Sequence, residues 1–106
     1  MPSQTLTAAL YQFIDLPEFA DWQQPLQDLC DAHHVKGLLL LAHEGVNGTI
    51  AGQPDDVHTV LNWLKRDARL ANLVHKEALA DSNPFYRMRV RLKREIVTLG
   101  VPELNP

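Results

Sequence analysis

The sequence has a single cysteine, Cys30, and no long hydrophobic run. One cysteine cannot form a disulfide within the chain, so a reducing compartment is the natural expectation. The longest apolar run, Leu38 to Ala42, is far too short to cross a bilayer, and the chain start lacks the basic and apolar regions of a secretory signal. These absences argue against a disulfide scaffold and predict a cytoplasmic domain with no membrane partner.

The common sequence signatures of catalysis are also missing. There is no Walker loop, no G-x-S-x-G nucleophile elbow and no G-x-G-x-x-G dinucleotide motif. The five histidines do not show the spacing of metal ligands, and one cysteine cannot build a zinc cluster. Cys30 falls on the apolar stripe of a predicted helix, which is typical of a core residue rather than a nucleophile. We therefore expect no metal, no cofactor and no complete active site in this chain.

What the sequence contains is typical of one small globular domain with unevenly placed charge. Its 106 residues are 45% hydrophobic and 22% charged, which is enough for a single core. The net charge is −3, but residues 1–53 hold only one base, Lys36, whereas five bases fall between Arg87 and Arg94. A polyanionic partner responds to such a local excess of charge rather than to the total.

Hydrophobic periodicity predicts two helices interleaved with strands. Apolar residues at three- and four-residue spacing predict one helix over 21–34 and another that begins at Pro54. The predicted strands are 8–16, 35–42, 49–51 and 73–80, with a further strand-like segment at 88–99. This βαββαβ order predicts an α+β, ferredoxin-like two-layer sandwich, in which an antiparallel sheet carries both helices on one face.

The C-terminal segment alternates cations with apolar residues. Because side chains alternate across a strand, the apolar residues Met88, Val90 and Leu92 would share one face. The other face would carry the cations Arg87, Arg89, Arg91 and Lys93, and Arg94 breaks the alternation, which a bulge near 93–94 would reconcile. Such a line of cations could follow a nucleic-acid backbone. The alternative is a solvated face that resists edge pairing and finds cross-strand partners such as Glu77.

The segment His43–Gly48 is the second candidate site, with His43, Glu44, Gly45, Asn47 and Gly48 as its members. Two glycines within four residues allow backbone N–H groups to converge on an anion, and a histidine beside a glutamate can shuttle a proton. A tight turn between two strands needs the same glycines and asparagine without any function, and Asn47-Gly48 is a strong turn signal. Both interpretations stay open on the sequence alone.

Three segments together resemble a known family. They are LLLLAHEGVNGTIAG at 38–52, HKE at 75–77 and PFYRMRVRLKREIVTLG at 84–100. Their combination resembles the N-terminal domain of the rhodanese-related tRNA uridine hydroxylases, from about Ala8 to Pro106. The resemblance implies an acylphosphatase-like domain that precedes a rhodanese domain with a catalytic cysteine. It also implies a parent enzyme that forms 5-hydroxyuridine at the wobble position of tRNA with molecular oxygen.

That resemblance divides the expected function between two parts of a parent chain. It implies a ferredoxin-like domain at 1–100 and, at 101–106, the start of a linker to a rhodanese domain that this chain lacks. Cys30 does not match the rhodanese cysteine, so this part alone is expected to be non-catalytic. The expected role is to bind or position tRNA through the cations between Arg87 and Arg94.

Two other functions are weighed against tRNA binding. The open sheet face, with Val97 and Leu99, could pack on the rhodanese domain in the same chain. The domain could also hydrolyse small acyl phosphates, as the acylphosphatase-like fold suggests. This second alternative ranks last because the segment after the first strand, Asp15-Leu16-Pro17-Glu18, is acidic where acylphosphatases resemble one another in a glycine-rich, arginine-bearing phosphate loop.

Overall fold

Strands and helices alternate along the chain in the order that the hydrophobic pattern predicts. The computed structural model describes residues 4–93. Its elements are β1 (Thr5–Phe13), α1 (Gln23–Ala32), β2 (Lys36–Ala42), β3 (Gly45–Gly52), α2 (Pro54–Lys65), β4 (Val74–Ala80) and β5 (Met88–Leu92). Short 3-10 turns at Phe19–Trp22 and Ala68–Leu70 precede α1 and β4. The predictions for Arg94, Val97, Leu99 and the linker at 101–106 lie outside the described residues.

The five strands form one sheet in the order β4-β1-β3-β2-β5. The first four strands pair antiparallel, as predicted, but β5 pairs parallel with β2, so the sheet is mixed and the prediction of a purely antiparallel sheet is wrong for β5. Residues 81–87 carry the chain from β4 at one edge of the sheet to β5 at the opposite edge. Side-chain alternation predicts which residues of a strand share a face, but not the direction of its partner.

The core lies between one face of the sheet, here called the inner face, and the two helices. Alternate residues of β1 point into it, as do Leu39 and Leu41 of β2, while α2 contributes its predicted apolar face. Cys30 of α1 is fully buried there, as the sequence predicts, and burial raises the pKa of its thiol to about 12. The α+β ferredoxin-like sandwich with both helices on one face is therefore confirmed.

The opposite face of the sheet, here called the outer face, has no helix over it within residues 4–93. It exposes apolar and aromatic side chains, among them Tyr11, Phe13, Leu38 and Val74. Within the described part of the chain, neither helix combines the length and the hydropathy that a bilayer-spanning segment needs. The outer face and the β5 edge are the surfaces on which a partner can act without displacing the core.

Candidate nucleic-acid interface

The cations of β5 lie on the outer face and its apolar residues on the inner face, as the alternation predicts, although Leu92 at the end of the strand is exposed. Arg89 pairs with Leu38 and Arg91 with Leu40, both outward positions of β2. Met88 and Val90 point inward and are buried. The backbone pairing with β2 continues one residue beyond each end of β5. The Gly37 N–H donates to the Arg87 carbonyl and the Lys93 N–H donates to the Leu41 carbonyl, both at 2.8 Å.

These four residues, Arg87, Arg89, Arg91 and Lys93, form what is called below the basic edge. At strand spacing it is about 20 Å long. Lys36 stands beside it at the start of β2, on the same face and next to the position of Arg87. The sequence analysis did not assign Lys36 to the site, because only the pairing of β2 with β5 brings it there.

No side chain of the basic edge forms an ion pair within residues 4–93. Glu77, the suggested cross-strand partner, lies on β4 at the opposite edge of the sheet. Its carboxylate bonds His75 at 2.9 Å and His58 at 3.0 Å, and these hydrogen bonds lower its pKa. The alternative in which Glu77 neutralises the arginines is therefore wrong.

The free edge of β5 is satisfied by side chains of α1 rather than left open. Gln27 accepts a hydrogen bond from the Val90 N–H at 2.9 Å and donates to the Met88 carbonyl at 3.0 Å. Gln23, one helical turn earlier, donates to the Val90 carbonyl at 2.8 Å. Because these backbone groups already have partners, the cations are not required to keep another strand from pairing with this edge.

An aromatic segment precedes the basic edge and borders a groove. Tyr86 is 95% exposed, which is unusual for a large aromatic side chain. The groove, with a volume of about 390 Å³, is lined by Gly37, Leu38, Phe85, Tyr86, Arg87, Arg89 and Arg91. Asn83 holds the segment in place, since its amide donates to the Ala51 carbonyl at 3.1 Å and its side-chain oxygen accepts from the Phe85 N–H at 2.9 Å. The sequence analysis did not assign Phe85 or Tyr86 to a site, although an aromatic pair directly before alternating cations could have indicated this groove.

The segment 43–48 forms a hairpin, but its turn lies earlier than predicted. Only His43 and Glu44 form the turn, whereas Gly45, Asn47 and Gly48 belong to β3. The prediction that Asn47-Gly48 makes the turn is wrong, because Gly48 pairs with Leu39 of β2. A Cβ on Gly48 would lie 2.1 Å from the Leu38 carbonyl oxygen, and one on Gly45 would lie 2.0 Å from the Gln12 carbonyl oxygen. Close strand approach thus explains both glycines.

The turn itself is tied to the chain that follows β1. The Glu44 and His43 carbonyls accept hydrogen bonds from Ile14 and Leu16, at 2.9 and 2.7 Å. The His43 imidazole lies 3.2 Å from the Asp15 carboxylate, and both side chains are exposed. Since β3 pairs with both β1 and β2, the backbone of residues 45–48 serves the sheet rather than an anion. A functional role for His43 and Glu44 stays a prediction.

The acidic segment after β1 is neutralised by an arginine from the other half of the chain. Arg69 donates to both Glu18 carboxylate oxygens, to the Asp15 carbonyl at 3.0 Å and to Asp67 at 2.8 Å. These hydrogen bonds hold the pKa of Asp67 at about 2 and lower that of Glu18. Arg69 is fully engaged by carboxylates, so the loop offers no free cation for a phosphate.

The topology defines a ferredoxin-like α+β domain with a fifth strand at the edge beside β2. Residues 5–96 match the family model described as the UPF0176 acylphosphatase-like domain, and the chain belongs to this family. It is 58% identical over 105 residues to the tRNA uridine(34) hydroxylase of Sinorhizobium medicae, 58% identical over 104 residues to that of Albidiferax ferrireducens, and 48% identical over 104 residues to that of Acaryochloris marina. The matches cover 98–99% of this chain but only 33–34% of the relatives, so the chain spans about a third of their length.

Solved structures support the fold alone. An acylphosphatase from Coxiella burnetii is similar with a TM-score of 0.59 at 14% identity, covering 86% of this chain and 94% of that one. The BLUF structure of BlrP1 is similar with a TM-score of 0.67, also at 14% identity, covering 87% and 65%. At such low identity, neither neighbour assigns chemistry to this chain.

Proposed function

We propose that this domain binds tRNA through the phosphate backbone, as an accessory domain of a larger chain that acts as a tRNA uridine(34) hydroxylase. The observation that carries the proposal is the basic edge, whose cations have no acidic partner within residues 4–93. Arg94, which follows it in the sequence, is proposed as a fifth contact. That the RNA is a tRNA is inferred from the names of the relatives, which are tRNA uridine(34) hydroxylases.

A row of cations suits the positioning of RNA better than the choice of its sequence. Phosphate contacts fix the register and orientation of a nucleic acid, whereas contacts to base edges discriminate sequence. The catalytic residues of the parent enzyme would then lie outside this chain, in the rhodanese domain that the resemblance implies. The substrate also implies a cytoplasmic protein, and this inference belongs to the same proposal.

Acyl-phosphate hydrolysis is disfavoured by the Arg69 cluster. The segment that follows β1 in this fold presents two carboxylates, Asp15 and Glu18, and the arginine nearest to it is already bound to the Glu18 carboxylate and to the Asp15 carbonyl. A phosphate arriving there would have to displace Glu18 from Arg69 and would face Asp15. This geometry repels the anion that such an enzyme must hold.

The test is the salt dependence of tRNA binding to the 106-residue chain. If the five cations at 87–94 contact about five phosphates, the slope of log affinity against log salt is about −3 to −4. The double variant Arg89→Ala/Arg91→Ala should bind more weakly, and its slope should be shallower by about 1.4.

The matched control is Lys65→Ala/Arg66→Ala, which removes the same charge from the end of α2, away from the basic edge. Fluorescence anisotropy of a labelled tRNA measures both variants. Equal slopes for the wild type and the Arg89→Ala/Arg91→Ala variant would reject the basic edge as the phosphate-binding site. Equal losses in the two double variants would instead show that only net charge matters.

A further inference from the structure

Two aromatic rings lie together on the outer face of the sheet. Tyr11 and Phe13 are consecutive outward residues of β1, and each is more than half exposed. Their ring centroids are 5.9 Å apart, with an angle of 54° between the planes. Removing such rings from water normally stabilises a fold, so two adjacent aromatic side chains left exposed at a central strand call for a partner.

The strand register connects these rings to the basic edge. Tyr11 pairs with Asn47, Asn47 with Leu40, and Leu40 with Arg91, so one row of outward residues runs from β1 to β5. Three strand spacings separate Tyr11 from Arg91, which is about 14 Å. The row therefore presents in order an aromatic ring, a side-chain amide, an apolar side chain and a guanidinium.

The charge on this face has one sign. The strand pairing places Lys36, Lys76, Arg89 and Arg91 at outward positions, and no outward position of the five described strands holds a carboxylate. Glu77, the one acid within the five described strands, points to the inner face, where it bonds His58 of α2. The flanking acids Asp15 and Glu44 lie beside Phe13, at the C-terminal end of β1. A sheet face whose outward strand positions carry aromatic rings and only positive charge complements a polyanion with apolar planar groups.

We infer that the outer face binds unpaired nucleotides, with bases stacked on Tyr11 and Phe13 and the phosphates held by Arg89 and Arg91. This inference rests on the proposed function and specifies the form of RNA that the site takes. Aromatic side chains on an open sheet stack the bases of single-stranded RNA, and stacking tolerates any sequence because every base has a π face. The Asn47 amide adds a donor and an acceptor for base edges.

A double-stranded region fits this face less well. Paired bases are stacked on one another and cannot lie flat on Tyr11 or Phe13, so a duplex would meet only the cations. A protein domain seated on the same face would have to bring carboxylates to both edges of the sheet. The preference for unpaired RNA over duplex RNA is therefore the property that this inference adds to phosphate binding.

The test compares a short oligouridylate with an RNA duplex of the same strand length, using the 106-residue chain. The variant Tyr11→Ile/Phe13→Ile keeps apolar, strand-favouring side chains but removes both rings. Each lost ring should weaken oligouridylate binding at least about fivefold, the lower end of the range for stacking on one base. Duplex binding and the salt slope should not change, because no phosphate contact is lost.

Two further variants control for the fold and for the ring. Tyr11→Phe retains the ring and should keep the preference for unpaired RNA, and Leu79→Thr alters an exposed residue on the inner-face side of β4 without affecting either RNA. Thermal unfolding verifies that each variant is folded. If Tyr11→Ile/Phe13→Ile does not fold, Tyr11→Ile alone replaces it, with the loss of about fivefold expected for one ring.

The outcomes separate this inference from the proposed function. Wild-type oligouridylate affinity in the ring variant overturns the inference, while loss on arginine substitution still supports the basic edge. Equal weakening for oligouridylate and duplex also overturns it, because stacking then plays no part. If a separately expressed rhodanese domain binds the wild type, loses affinity for the ring variant and competes with oligouridylate, the face is a protein interface and the inference fails.

Discussion

Arg69 and Arg91 illustrate two uses of an exposed arginine in one small domain. Arg69 touches Glu18, Asp67 and the Asp15 carbonyl, so its donors are occupied by the protein itself. Arg91 projects from an edge strand and forms no ion pair within residues 4–93, and the same is true of Arg89. The Arg69 cluster joins two loops that are far apart in sequence, whereas β5 presents its charges to solvent.

The difference shows that net charge near a site is a poor guide to what the site can bind. An arginine held by two carboxylates contributes no net positive field and would have to give up existing hydrogen bonds to take a phosphate. Cations without acidic partners keep their full attraction for an anion and release counterions when they meet one. Three predictions extend this comparison, from the largest expected effect to the smallest.

Gln27→Ala should show that backbone support, and not charge, holds the basic edge in place. The substitution leaves the Val90 N–H without its partner, and a part-buried donor without a partner costs about 1–3 kcal/mol of unfolding free energy. Urea unfolding measures this loss. RNA affinity should also fall, although no charge is removed. The reason is that β5 loses the Gln27 hydrogen bonds that hold its unpaired edge against α1.

Gln24→Ala is the matched control for this prediction. Gln24 lies on the same helix, but its amide bonds Asp28 on the exposed surface, a pair worth only about 0.2–0.5 kcal/mol. Equal destabilisation by Gln24→Ala and Gln27→Ala would mean that the loss reflects helix α1 and not the support of β5.

Arg69→Met should separate the two kinds of arginine directly. It breaks the link between the segment after β1 and the 3-10 turn before β4, so the melting temperature should fall slightly. Affinity for tRNA should stay at the wild-type value, in contrast to Arg91→Ala. Arg69→Lys keeps the charge but not the planar fork, and it should recover only part of the lost stability. A clear loss of tRNA affinity in Arg69→Met would extend the RNA surface to this side of the domain.

Most of the fold could be predicted because its helices and strands leave repeated hydrophobic patterns among residues that are close in sequence. The apolar stripe of α2 and the alternation of β5 are repeated patterns within one element, and the structure confirms both. The pairing of β5 with β2 could not be predicted in the same way. It depends on a long connection and on which edge of the sheet is free, and neither leaves a pattern in the strand itself.

The candidate site likewise has one part that local sequence patterns predict and another part that depends on tertiary packing. The alternation at 87–93 identified the cations, but the suggestion of Glu77 as their partner assumed a neighbouring strand that lies at the opposite edge. Lys36, Tyr11 and Gln27 reach the site only through sheet and helix packing, so no spacing in the sequence connects them to it. The motif at 43–48 misled because glycine serves close strand packing as well as turns.

The smallest predicted effect is the dependence of the Arg69 cluster on acid. Hydrogen bonds from Arg69 hold the pKa of Asp67 at about 2 and lower that of Glu18 from its ordinary 4.5. A carboxyl group whose pKa is lower in the folded state stabilises the fold above its unfolded pKa, and this contribution disappears as the pH falls towards its folded pKa. The stability difference between wild type and Arg69→Met should therefore be full at pH 6 and shrink between about pH 4.5 and pH 2. Urea unfolding of both proteins at several pH values measures this difference. A difference for Arg69→Met that does not vary with pH would mean that packing of the Arg69 side chain, and not its carboxylates, stabilises the cluster.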